Sequence, residues 1–138
     1  VPHSGKLELP GSRVLLTWNA SRESAHALRE AMPLLTRADD VVVLSSEPDD
    51  GNYEMANGHP HAQALMNLLS SHGINAVSSG FGDADLGASE AIIGQAADMN
   101  ADLIVMGAYG HARLREIILG GVTRDLLKRA PTCLLLAH

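Results

Sequence analysis

Short apolar runs alternate along the chain with segments of helical periodicity, and this alternation restricts the fold more than any other feature. Five runs have the length and composition of strands: RVLLTW (13–18), DDVVVLSS (39–46), INAVSSG (74–80), DLIVMG (102–107) and CLLLA (133–137). Strands that alternate with helices through right-handed crossovers form a parallel sheet covered on both faces. The pattern therefore predicts an open, Rossmann-like α/β fold with a five-stranded parallel sheet.

Four helices are predicted between these strands, at 21–35, 61–73, 86–100 and from Val122 to Arg129. Ser21 is the predicted N-cap of the first helix. Apolar residues at helical spacing define the face that each of the first three helices should bury. These residues are Ala25, Leu28, Ala31, Met32 and Leu35; then Ala64, Leu65, Leu68 and Leu69; then Ala88, Ala91, Ile92 and Ala96.

The length of 138 residues predicts one domain. Pro2, Gly5, Pro10 and Gly11 mark residues 1–11 as an N-terminal linker or extension, and residues 12–138 as the domain. The first residue is Val, so the sequence leaves open that this chain is one half of a tandem protein.

Charge and hydropathy narrow the class of protein. The net charge of -6 argues against general nucleic-acid binding, which needs a basic face. No apolar run approaches the length of a membrane span, and the start has no signal-peptide core. Cys133 is the only cysteine and is predicted to be a small buried hydrophobe, which favours a cytoplasmic location.

The segment GAYGHARLREIILGGVTRDLL (107–127) is the main candidate for a binding site. Ligands of open α/β sheets lie beyond the carboxyl ends of the strands, where the strand order reverses. If the order is 3-2-1-4-5, strand one, which ends at Trp18, and strand four, which ends at Gly107, flank that point. Residues 107–138 carry five basic and two acidic side chains, a local net charge of +3 in an acidic chain.

The residue types in this segment suit a phosphate. Gly107 and Gly110 permit a sharp turn and close backbone approach, while Gly120 and Gly121 precede a helix whose free amides favour an anion. His111, Arg113, Arg115 and Arg124 supply positive charge, and Trp18 and Tyr109 are placed to flank a flat base. The alternative is that the glycines serve tight turns, the arginines cover a solvated helix face and Trp18 belongs to the core.

Other chemistry is less well supported. The chain has no G-x-x-x-x-G-K-[ST] phosphate loop, and GFGDADLG (80–87) has Asp85 in place of the third glycine of a dinucleotide fingerprint. His59, His61 and His72 have no further ligands at metal-binding spacing, so no metal site is predicted. GASEA around Ser89 lacks the preceding strand and final glycine of a nucleophile elbow. We therefore predict no catalytic residues.

The glycine spacing resembles a known family. Gly107-x-x-Gly110, nine residues and then Gly120 is similar to the G-2x-G-9x-G-[S/T] signature of the universal stress protein family. RVLLTWNASRESAHAL resembles the first strand and helix of that family, and residues 101–136 resemble its last third. The resemblance implies the strand order 3-2-1-4-5, dimers and, in one branch, ATP binding. It adds Asn19, Val41, Val122 and Thr123 to the predicted cofactor-binding residues.

Two positions depart from the family pattern. Gly121 stands where the signature has Ser or Thr, with Thr123 as a partial substitute, and Asn19 stands where an Asp usually follows the first strand. The sequence therefore predicts a dimeric module that binds or senses ATP, with or without Mg²⁺, and leaves slow hydrolysis open. The alternative is an interaction module of the same fold that has lost nucleotide binding. The aliphatic last strand predicts a homodimer through residues 132–137.

Overall fold

The computed structural model describes residues 11–45, 60–80, 87–108 and 121–138. Five strands and four helices alternate along these residues. In chain order they are β1 (Arg13–Trp18), α1 (Arg22–Leu35), β2 (Asp40–Ser45), α2 (Pro60–Ser71), β3 (Ala76–Gly80), α3 (Ala88–Asp98), β4 (Leu103–Gly107), α4 (Gly121–Arg129) and β5 (Cys133–Ala137). Every predicted strand and helix is present, with ends that differ from the prediction by a few residues.

The strands form one parallel sheet in the order β3-β2-β1-β4-β5, which confirms the predicted fold and order. The β1 strand lies at the centre and pairs with β2 on one side and β4 on the other. Its residues Val14, Leu15 and Leu16 are fully buried, as expected for a parallel strand covered on both faces.

The core consists of two apolar layers, one on each face of the sheet. Alternate side chains of β1 enter different layers, because successive residues of a strand point to opposite faces. Val14 and Leu16 join the layer that contains residues of α1 and α2. Leu15 joins the layer that contains residues of α3 and α4. The central strand thus connects the two halves of the core.

The buried faces of the helices differ in part from the predicted faces. On α1, α2 and α3, the predicted core residues Ala25, Ala64, Leu68 and Ala88 are exposed. The buried positions include instead Ser24 and Ala27 of α1, Ala62 of α2 and Ser89 of α3. Alanine and serine differ little in size, so packing against the sheet rather than hydropathy decides which of them is buried.

Side chains fix the start of α1 and the start of β1. The hydroxyl of Ser21 accepts a hydrogen bond from Ser24 N at 3.1 Å and caps α1, as predicted. At the opposite edge, the Asp102 carboxylate accepts hydrogen bonds from the backbone amides of Gly11, Ser12 and Arg13 at 2.8 to 3.2 Å. Asp102 therefore anchors the start of β1 to the segment that precedes β4.

The described helices include none with the length and apolar composition of a membrane span. Cys133 lies at the start of β5 and is half-buried rather than fully buried, because an outer strand is covered less completely than a central one. The predicted linker, apart from Gly11, lies outside the described residues.

Candidate functional site

The sheet separates into two halves at its carboxyl edge. The pairing of β1 with β4 covers only Val14 to Leu16, opposite Leu103 to Val105. Beyond that point β1 continues beside β2 as far as the pair Trp18 and Ser45. The β4 strand continues beside β5 as far as the pair Gly107 and Ala137. The ends of β1 and β4 therefore diverge at the point where the strand order reverses, which is where ligands bind in open α/β sheets.

The end of β4 lies against the start of α1. A Cβ atom on Gly107 would stand 2.5 Å from the carbonyl carbon of Glu23 and 2.5 Å from the nitrogen of Ser24. Real side chains do not approach a backbone so closely, so only glycine fits between the two elements. The contact holds β4 against α1, the helix that follows β1, and it accounts for the glycine at position 107 without a ligand.

Trp18 lies at the end of β1 and is partly buried. It packs against the core layer of α1 and α2. A place in the core was the alternative predicted for Trp18, and its partial burial agrees with that alternative in part. Its indole Nε1 is buried and has no hydrogen-bond partner among the described residues. A buried N–H group without an acceptor costs about 1–3 kcal/mol, so this donor favours an acceptor that the described residues do not supply.

The loop from β1 to α1 is held in a specific conformation. The side-chain oxygen of Asn19 accepts a hydrogen bond from Ser21 N at 3.1 Å, which is an Asx turn. Ala20 has a φ of 57°, in the left-handed region that residues with a side chain rarely adopt. One acceptor site of Asn19 is therefore used within the loop, and the second lone pair remains for another donor.

Val41 does not lie near the other predicted site residues. It is the second residue of β2, pairs with Val14 and is 2% exposed in the core. Trp18 pairs instead with Ser45, at the other end of the same strand. The register thus places Val41 at the amino edge of the sheet and Ser45 at the carboxyl edge. Ser45, rather than Val41, is the β2 residue that lies beside Trp18.

The first turn of α4 presents both accessible backbone and a buried hydroxyl. Gly121 is exposed, and a Cβ added to it would meet no atom within 4 Å. Val122 is half-buried, whereas Thr123 is 5% exposed and shares the buried face of α4 with Leu126. The Thr123 side chain is therefore directed to the core side of the helix. The remaining predicted site residues, Tyr109, Gly110, His111, Arg113 and Gly120, lie outside the described residues.

A polar cluster joins the start of α3 to α4. The Ser89 hydroxyl lies 2.9 Å from Glu90 Oε2 and 3.3 Å from Asp125 Oδ2, within donating distance of both carboxylates. Arg129 Nη1 donates to Glu90 Oε1 at 2.9 Å. The hydrogen bond from Arg129, and next the one from Ser89, lowers the pKa of Glu90 below the usual value for a glutamate. Sequence reasoning considered Ser89 only as a nucleophile and missed this cluster.

Metal binding finds no support in the part of the chain that the structure describes. No group of three or more His, Cys, Asp or Glu side chains is placed there to hold an ion. His61 and His72 are both exposed, at the two ends of α2. His72 Nδ1 lies 2.9 Å from the Leu68 carbonyl, a local contact at the end of that helix.

Comparison with known proteins finds a similarity to one family. Residues 84–138 match the Universal stress protein family. Two curated relatives are universal stress protein Slr1230 of Synechocystis, 40% identical over 42 residues, and universal stress protein MJ0577 of Methanocaldococcus jannaschii, 42% identical over 41 residues. Each alignment covers 30% of this chain, and the matched segments span only 15% and 25% of the relatives' own lengths.

Several solved structures have the same fold as this chain over most of its length. The structure of MJ0577 superposes with a TM-score of 0.75 at 21% identity and covers 94% of this chain and 96% of its own. A universal stress protein in complex with cAMP gives a TM-score of 0.65 at 19% identity, covering 92% and 97% of the two chains. An Arabidopsis thaliana family protein with AMP bound gives 0.57 at 14% identity, covering 91% and 90%.

The chain has the α/β fold of its structural neighbours. Over residues 84–138 the chain is similar to the universal stress protein family, two curated universal stress proteins are similar to it over about 40 residues, and the solved neighbours share its fold.

Proposed function

We propose that this protein is a stress-related module that binds or senses an adenine nucleotide, with ATP as the expected ligand, at the divergence of β1 and β4. The observation that carries the proposal is the early end of the β1–β4 pairing after Leu16 and Val105, while both strands continue beside their outer neighbours. A crevice at this position is the general ligand site of the fold class.

The residues around the divergence suit a nucleotide. The indole N–H of Trp18 is a buried donor without a partner among the described residues, and nucleobases and ribose carry acceptors. The first turn of α4 begins at the exposed Gly121, where backbone amides and the positive helix end favour phosphate. Structural neighbours with cAMP or AMP bound support the same class of ligand.

A titration of the single tryptophan tests this proposal. Trp18 fluorescence, excited at the red edge, is followed while ATP is added with and without Mg²⁺, and calorimetry provides an independent check. The proposal expects a saturable change in the micromolar range. The Gly110→Asp variant should abolish that change, because it places a carboxylate in the glycine framework of the signature.

A matched variant controls for the added charge. Gly94 lies exposed on α3, and a side chain there would meet no atom within 4 Å. Gly94→Asp should therefore leave ATP binding unchanged. If ATP changes neither the fluorescence of the wild-type protein nor the heat measured by calorimetry, nucleotide binding is rejected in favour of the second candidate below.

The second candidate is an interaction module of the same fold without nucleotide binding. Three observations favour it: Gly121 supplies no hydroxyl, the side-chain oxygen of Asn19 already accepts from Ser21 N, and Thr123 is buried. In this case the protein would act through its surfaces, including the outer strand β5.

Gly121→Ser separates the two candidates. The new hydroxyl enters open space and restores the donor of the family signature. A functional phosphate site should then bind ATP about fivefold more tightly, the effect of about 1 kcal/mol from one hydrogen bond. Gly121→Ala, which adds the Cβ atom without the hydroxyl, is the matched control and should bind like the wild type. Equal binding by both variants would indicate that the site is not used.

We propose a binding module rather than an efficient enzyme. The groups that we propose to face the ligand are the Trp18 indole and the first-turn backbone amides of α4, and neither of these is a general base for water. An ATP hydrolysis assay with and without Mg²⁺ should detect no multiple turnovers. Multiple turnovers would make the protein an enzyme.

A further inference from the structure

Two of the described residues other than glycine have a left-handed backbone, Ala20 and Asn100. Asn100 has a φ of 49° and directly follows the C-cap of α3. A left-handed residue commonly ends a helix in this way, and asparagine adopts the conformation more readily than most residues. Ala20 has a φ of 57° but lies between a strand and the helix that follows it, and its methyl group cannot form a hydrogen bond. The strain at Ala20 is therefore not explained by its residue type or by a helix end.

Hydrogen bonds of the neighbouring residues hold Ala20 in this conformation. The side-chain oxygen of Asn19 accepts from Ser21 N at 3.1 Å, across Ala20. The carbonyl of Ser21 accepts from the Ser24 hydroxyl at 2.9 Å and from Ala25 N at 3.0 Å, which fixes the other side. An alanine populates the left-handed region about fivefold to thirtyfold less than the right-handed one. If Asn19 releases Ser21 N, relaxation of Ala20 to a negative φ is therefore favourable.

The strained residue belongs to a run of three at the edge of the crevice. Trp18, Asn19 and Ala20 are consecutive, at the carboxyl end of β1 where β1 and β4 diverge. The Trp18 indole N–H is buried without an acceptor among the described residues, while the Asn19 oxygen is used inside its own loop. Strained backbone of this kind occurs at ligand clamps and at segments that change conformation. All three residues have an interaction that a change of the loop could improve.

We propose that the β1–α1 loop, residues 19–21, is a conformational switch of the nucleotide site: ligand binding releases Asn19 from Ser21 N, and Ala20 relaxes to a negative φ. This inference rests on the proposed function. The loop of the structure is then the ligand-free conformation. The strain at Ala20 narrows the free-energy difference between the two loop conformations, so less of the binding free energy is used for the change.

Ala20→Gly tests the switch because glycine adopts a positive φ without a steric penalty. The variant should stabilise the ligand-free loop and raise the Tm by about 2–5 °C. It should also weaken ATP binding in calorimetry about threefold to tenfold, because relaxation of residue 20 no longer favours the bound state. A residue with only a structural role would not raise stability and weaken binding together.

Asn100→Gly is the matched control. It makes the same kind of change at the other left-handed residue, which precedes β4 at the opposite edge of the sheet. Its ATP affinity should stay within about twofold of that of the wild type. A loss of affinity equal to that of Ala20→Gly would show that the effect is not specific to the β1–α1 loop and would overturn the inference.

NMR observes the predicted change of φ directly. The amide and α protons of one residue lie closer together at a positive φ than at a negative φ, so Ala20 of the free protein should give a strong intraresidue NOE between them. This NOE should weaken in wild-type protein at saturating ATP and stay strong at Asn100.

The outcomes separate this inference from the proposed function. Wild-type protein that binds no ATP rejects both. If the wild type binds ATP and Ala20→Gly binds it equally or more tightly, only the switch is rejected. A strong Ala20 NOE that persists at saturating ATP also overturns the switch and leaves the nucleotide site in place.

Discussion

Gly107 at the end of β4 lies directly against the backbone of Ser24 in the first turn of α1, and a Cβ at Gly107 would stand 2.5 Å from the Ser24 nitrogen. This contact joins β4 to α1, the helix that follows β1. It does so through backbone on the α1 side, which cannot move aside as a flexible side chain can. The position of α1 relative to β4 therefore depends on the absence of a side chain at residue 107.

Gly107→Ala should destabilise the protein by about 3 kcal/mol, because the added methyl group must push α1 away from β4. Chemical denaturation measures the free energy of unfolding. Gly94→Ala is the control: it replaces an exposed glycine in the interior of α3 and should stabilise the protein by about 0.5–1 kcal/mol. Similar stabilities of Gly107→Ala and the wild type would contradict the contact.

Asp102→Ala should lower the free energy of unfolding by about 2 kcal/mol, because the backbone amides before and within β1 lose a charged acceptor. Asp102→Asn keeps one acceptor oxygen and should lose about half as much. Asp98→Ala removes an exposed carboxylate from the last turn of α3, where a negative charge is unfavourable, and should be neutral or slightly stabilising. Equal effects at positions 98 and 102 would show that Asp102 does not anchor β1.

Glu90 predicts a pH-dependent part of the stability. The hydrogen bonds from Arg129 and Ser89 lower the pKa of Glu90 in the folded protein. A lowered folded pKa means that the contribution is present above the unfolded pKa of a glutamate and is lost as the pH falls through the folded value. Wild type should therefore be more stable than Glu90→Gln at neutral pH, and the two should converge at acidic pH. A difference that does not change with pH would contradict the ion pair.

We expect the protein to form a dimer through the outer strand β5. Its aliphatic residues Leu134, Leu135 and Leu136 are half-buried within one chain, and no charged residue or proline lies within the strand to discourage pairing. Sedimentation velocity should show a dimer at micromolar concentration, and Leu136→Lys should shift it to monomer. Leu127→Lys adds the same charge at an exposed position of α4 and should leave the dimer intact. Wild-type protein that is only monomeric at this concentration would contradict the prediction.

The fold was predictable because its signals are local. Each strand is a short apolar run, and each helix shows its own periodicity or, like α1, its own cap at Ser21. The order β3-β2-β1-β4-β5 was reached only through the family resemblance and the crossover rule, since the apolar strands carry no record of which neighbour they pair with.

The site was less predictable because its relationships are not local. DVVVLS is apolar nearly throughout, so the sequence does not show that Val41 lies at the amino edge and Ser45 beside Trp18; only the register of β1 and β2 does. The same holds for two pairs of polar groups. Asp102 lies 89 to 91 residues along the chain from the amides that it binds at the start of β1, and Ser89 lies 36 residues from Asp125. A single sequence contains no signal for such pairs of polar residues.

The indole N–H of Trp18 offers the most direct test of nucleotide binding at the divergence of β1 and β4. The chain has one tryptophan, so ¹⁵N-labelled protein gives one indole signal, which reports on the carboxyl end of β1. Titration with ATP should shift this signal and the backbone amides of Gly121, Val122 and Thr123 together and saturably, with small changes at Val41 on the opposite edge. Unchanged Trp18 and α4 signals at saturating ATP would contradict the assignment of the nucleotide to this site.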